Sequence, residues 1–110
     1  MKTYDIKDRA EASSEGEYVL GSKDTGSHAC YMIYGYLTPR ESGRLICPGK
    51  GHEEIVLALK GDLHISGHME GLLKEGSCFH ITEDNKCFLE NKGTYEALYI
   101  ISGGHSGGRH

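Results

Sequence analysis

The sequence has no tryptophan and only two prolines, and no apolar stretch in it approaches the roughly 20 residues needed to cross a bilayer. It also lacks any run of basic residues: 12 Lys and Arg are scattered against 16 Asp and Glu, for a net charge of -4 with the 7 His neutral. The counterion-releasing stripe used by nucleic-acid binders is missing, so nucleic acid is not an expected partner. The opening segment MKTYDIKDRAEASSEGEY is charged throughout and has no apolar centre of the kind a secretory signal carries. A soluble, cytoplasmic protein with no membrane partner is expected. Cys30, Cys47, Cys78 and Cys87 stand far apart, with no CxxC pair and no CxxC...HxxxH finger. That spacing gives a closed structural zinc site no support and, without an export signal, favours free thiols or ligands over disulfides.

What the chain has in abundance is glycine. Sixteen are spread at short intervals rather than gathered in one linker, a distribution that marks many tight turns. Between them lie short segments rich in strand formers, ACYMIYGYL, DLHISGH, SCFHIT, KCFLEN and TYEALYIIS, with about 8–12 residues from turn to turn. IVLALK, set between a Gly-rich approach and a GD turn, is too short for a typical helix and reads as a further strand. No segment carries a long apolar stripe of period 3.6 behind a capping residue, so helix content is expected to be low. The reading is an all-β sandwich or barrel in one domain. At 110 residues and 37% apolar content, the chain needs a compact architecture or a homodimer interface to bury enough surface. Residues 1–17 read as a polar arm with at most one short strand, 18–102 as the barrel, and 103–110, GGHSGGRH, as a tail that is flexible unless it binds something or folds over the barrel mouth.

The segments HEEIVLALKGDLHISG, LLKEGSCFHI and CFLENKGTYEALYII together resemble the core of the small single-domain cupins, over roughly residues 30–102. In the first motif of that family a Glu stands seven residues before a Gly, as Glu54 and Gly61 do here. In the second, Gly, Pro, His and Asn follow at intervals of six, five and four. Gly76, Thr82, Cys87 and Asn91 keep those intervals, with Thr in place of Pro and Cys in place of His. The resemblance implies a double-stranded β-helix, or jelly-roll barrel, of two antiparallel sheets with its site inside, and frequently a homodimer.

The site residues depart from the family. A metal-binding member would carry His six and four residues before the Glu, where Pro48 and Lys50 stand, and a last His where Cys87 stands. Only Glu54 is unchanged. His52, two residues before Glu54, shares its strand face. His52, Glu54 and Cys87, with Cys47 as a fourth donor, are the candidate ligands for a divalent transition metal: zinc, iron, nickel or copper. If no metal is bound, a buried Glu54 is costly as an unpaired anion and is expected to be protonated or to pair with His52 or Lys50. Glu54 and His52 would then form an acid–base pair.

His80 and Tyr36 are the candidate residues of a substrate pocket, although the alternation of Cys78 and His80 against Phe79 and Ile81 leaves open whether His80 faces inward or is a partly exposed strand residue. Tyr31, Tyr34 and Tyr36 crowd one strand, either to stack on a ligand or to pack a surface. His64 is expected outside, Cys30 and Cys78 as packing residues, and His105 and His110 carry only a weak metal-binding pattern. The function expected is binding of a small polar or anionic metabolite, with a non-standard mononuclear metal centre as its sharper form. The alternatives are a metal-dependent dioxygenase, a proton-transfer isomerase or epimerase, and a non-catalytic sensing or regulatory barrel.

Overall fold

Along HEEIVLALK the residues alternate: Glu54, Val56 and Ala58 are buried and Ile55 is exposed, the period of two of a half-buried strand. The same alternation recurs throughout the computed structural model, which describes residues 1–106. The elements in order are α1 (Ile6–Ala12), β1 (Glu17–Leu20), α2 (Ser22–Thr25), β2 (Cys30–Leu37), β3 (Arg44–Ile46), β4 (His52–Lys60), β5 (Leu63–Gly67), β6 (Gly71–Leu73), β7 (Cys78–Thr82), β8 (Cys87–Glu90) and β9 (Ala97–His105). The strands form a five-stranded sheet, β1-β2-β9-β4-β7, and a four-stranded sheet, β3-β8-β5-β6, with every pairing antiparallel. The chain passes repeatedly from one sheet to the other, which is the jelly-roll arrangement expected from the sequence.

The core lies between the sheets. Leu37, Val56, Ile81, Tyr99 and Ile101 come from the larger sheet and Ile46, Leu63, Leu73, Cys87 and Leu89 from the smaller. The motif positions fall at the corners of this barrel. Gly61 turns β4 into β5, Gly76 precedes β7, and the buried Asn91 follows β8.

Two boundary expectations are corrected. The polar arm 1–17 contains a helix. Asp5 caps α1 by accepting the Asp8 backbone N–H at 3.1 Å, and Ile6 and Ala10, four residues apart, share a face. That face lies on β1 and β2, where Ala10 and Tyr34 are buried. A stripe of two residues is too short to be read as a period. At the other end Gly103 and Gly104 are not tail but part of β9, paired with both β2 and β4, and His105 ends that strand opposite His52 of β4. His110 and the remainder of the tail from 107 lie outside the described residues.

Candidate functional site

The register of three adjacent strands builds one end of the barrel. Tyr31 of β2 lies opposite Gly103 of β9, which lies opposite Glu54 of β4, so the Tyr31 ring crosses over the glycine toward the carboxylate. A Cβ at Gly103 would overlap that ring, so the missing side chain is what admits it. The Tyr31 hydroxyl donates to Glu54 Oε2. Farther toward the rim, His52 stands opposite His105 with ring centres 5.2 Å apart, and its ring meets that of Tyr31 edge-on at 6.1 Å. The His52 Nδ1–H points at the Lys50 carbonyl at 3.3 Å, which leaves Nε2 of the neutral ring as an acceptor. The His28 carbonyl accepts from His105 Nε2 at 2.5 Å, tying the end of β9 to the segment before β2.

Glu54 is 5% exposed. Burial raises its pKa above the ordinary carboxylate value. The Tyr31 hydrogen bond opposes that rise, Glu17 adds to it, and His52 opposes it. Tyr31 is raised too, first by burial and then by its bond to Glu54, so the phenol keeps its proton. Above this pair a cavity of about 220 Å³ opens between Val19, Ser22, Ser27, His28, Tyr31 and His52. Tyr31 and His52 face the cavity, while Glu54 lies behind them.

A second tyrosine repeats the device deeper in the barrel. Tyr99 of β9 lies opposite Gly35 of β2, where again a Cβ would overlap the ring. Its hydroxyl donates to Glu17 Oε2 at 2.5 Å and accepts from Arg44 Nη1 at 2.6 Å, and Arg44 Nη2 reaches Glu41 Oε2 at 2.9 Å. Tyr99 is fully buried, and burial followed by Glu17 pushes its pKa up. This cluster is closed upon itself and braces the end of β1 against β3.

No known family model matches the sequence, and no curated protein does. Solved structures do match. A protein of Thermus thermophilus superposes with a TM-score of 0.70 at 19% identity, over 96% of this chain and 98% of that one. Oxalate oxidase gives 0.70 at 20% identity over 86% of this chain and 53% of that one, and one of its structures carries the substrate analogue glycolate. An RmlC-like cupin from Shewanella frigidimarina gives 0.59 at 11% identity, over 74% and 70%. The chain has the cupin fold.

Within this cupin barrel the expected site residues separate. His52 and Glu54 share the inner face of β4, and Tyr31, rather than His52 or Lys50, is the hydrogen-bond partner of the carboxyl group. Cys87 points inward from the opposite sheet, fully buried in the apolar core, and Cys47 lies on the segment between β3 and β4. Among the described residues no three His, Cys, Asp or Glu side chains gather in a way that could hold a metal ion. His52, Glu54, Cys87 and Cys47 therefore do not form a fitting donor set as they stand.

His80 and Tyr36 do not line the interior. Ile81 takes the inner face of β7, and His80 projects outward to pair with Glu53 Oε1 at 2.7 Å. Tyr36 neighbours inward-facing Gly35 and Leu37, so it projects from the outer face of β2 with Tyr34. Cys30 and Cys78 are exposed rather than packed. Sequence reasoning missed the pairing of Tyr31 with Glu54, 23 residues apart. The one available signal was the strand alternation that sets Tyr31 opposite in face to Tyr34 and Tyr36.

Proposed function

We propose that this protein binds a small hydroxy acid at the mouth of the barrel, with Tyr31 and His52 as contacts and Glu54 as the group that orients Tyr31. The observation that carries the reading is the Tyr31–Glu54 hydrogen bond beside an open cavity that Ser22, Ser27, Tyr31 and His52 line. Because the phenol donates inward to Glu54, its oxygen is left to accept a ligand hydroxyl. Ser22 and Ser27 supply hydroxyl donors for a carboxylate, and the His52 ring lies beside them. A cavity of about 220 Å³ suits a molecule of only a few carbons. The glycolate bound to oxalate oxidase, which shares the fold, makes that acid the natural first probe.

The donor set does not fit a metal, and no step of this reading passes through one. The buried carboxyl group with its raised pKa also favours a second, catalytic reading, in which Glu54 and Tyr31 relay a proton to or from the hydroxy acid. The reading includes a homodimer, supported by the outer face of the larger sheet. There Met32 and Ile55, in one row across β2, β9 and β4, remain 39% and 49% exposed.

The test is an amide-resolved NMR titration with glycolate, lactate and glycerate. The hydroxy acids are expected to shift the amides around Ser27–Tyr31 and His52, with roughly tenfold weaker binding in Tyr31→Phe. Absence of shifts at the mouth with all three acids would contradict the reading. One transition metal per chain in protein purified without a tag, lost in His52→Ala, would replace it with a metal centre. Exchange of the Cα proton of lactate into heavy water, abolished in Glu54→Gln, would establish the catalytic form.

A further inference from the structure

About 20 Å along β4 from Glu54, at the other end of the barrel, Lys60 borders a second and larger cleft. Its volume is about 490 Å³, and its walls include Lys60, Asp62, His64, Glu75, Lys92 and Tyr95. Two features set this cleft apart from an ordinary groove between turns.

The first is its rigidity. The side chain of buried Asn91 donates toward the carbonyls of Leu37 and Thr38 at 3.1 Å each and of Tyr95 at 2.8 Å, and its own oxygen accepts the Gly93 N–H at 2.9 Å. The loop 91–96 is thereby fixed to the barrel. The opposite wall is braced reciprocally: Gly61 N–H donates to Glu75 Oε1 at 2.7 Å and Glu75 N–H to Asp62 Oδ1 at 2.9 Å. A site held this way loses little conformational freedom on binding.

The second is unspent hydrogen-bonding capacity. His64 Nδ1 is buried without a partner among the described residues. A buried polar atom in that state is uncommon. Lys60 and Lys92 make no hydrogen bond or ion pair among the described residues. Tyr95, whose backbone is pinned, presents its side chain 83% exposed.

We propose that this cleft is a binding site for an uncharged carbohydrate. The exposed Tyr95 ring is a flat apolar platform for the C–H face of a pyranose. Hydroxyl groups both donate and accept, and they suit a wall that offers ammonium donors, carboxylate acceptors and an imidazole nitrogen together. Among the lining residues, Asp62, Glu75 and Glu96 outnumber Lys60 and Lys92, which argues against an anionic ligand. The site stands apart from the mouth and does not depend on what binds there.

The experiment is an amide-resolved NMR titration of the full chain with glucose, galactose, rhamnose and maltose at millimolar concentration, with glucose 6-phosphate and inorganic phosphate as anionic probes. At least one neutral sugar is expected to shift the amides of Gly61–His64 and Lys92–Glu96, with an affinity insensitive to salt. Tyr95→Phe keeps the platform and should bind as the wild type does. Tyr95→Ala, at an exposed position that leaves the fold intact, should bind roughly tenfold more weakly. The proposal is overturned if none of the neutral sugars shifts these amides, if only the phosphates do, if the shifts fall at the mouth alone, or if Tyr95→Ala binds undiminished.

Discussion

Glu54 is a carboxyl group with one partner and little water, and its energetics follow from that. A carboxyl whose native pKa is raised holds more protons in the folded than in the unfolded state between the two values. Its contribution therefore favours the fold at acid pH and is lost as pH rises from about 4.5 through the native pKa. Glu54→Gln has no such proton to lose. Melting temperatures of the two proteins are expected to diverge in favour of the variant as pH climbs through that window, and parallel curves would contradict the raised value. The motif spacing singled out Glu54 and, by its alternation, placed His52 on the same face. It did not identify Tyr31, because a partner on another strand is set by register, and register is a property of the assembled sheet. His80 and Tyr36 were misplaced for the same reason: one step along a strand exchanges inside for outside.

At the scale of elements, two tyrosine–glycine pairs across β2 and β9 build the interior. Each glycine yields room for the opposite ring, and each hydroxyl finds a carboxylate. Gly103→Ala is expected to cost about 1–3 kcal/mol in denaturant unfolding, as overpacking does in a filled core. In a Tyr31→Ala background the same change should cost much less, because the overlap is gone. Equal penalties in the two backgrounds would mean that the ring and the glycine are not coupled. The strands themselves were legible: short apolar runs broken by glycine gave β2, β4, β7, β8 and the start of β9. The helix α1 was not, since its stability comes from lying on β1 and β2 rather than from any pattern within seven residues. The extension of β9 to His105 was hidden by a composition, Gly-Gly-His, that resembles a linker but here serves to admit the Tyr31 ring.

The whole molecule is a barrel with a cavity near either end. The cupin frame survives where it shapes corners, at Gly61, Gly76 and Asn91, and is altered where the family's metal ligands would stand, at Pro48, Lys50 and Cys87. Glycine and asparagine at corners serve the fold whatever the site does, so the architecture could be read from them and the ligand could not. No helix among the described residues is long and apolar enough to cross a membrane. The central claim is that a desolvated Glu54, tied to Tyr31, forms the base of a ligand site. Carbon-13 NMR titration of the Glu54 side-chain carboxyl tests it most directly. The midpoint is expected above 4.5, higher again in Tyr31→Phe because an opposing hydrogen bond is removed, and displaced by glycolate. A midpoint at or below 4.5 that responds to neither the substitution nor the acid would contradict the account.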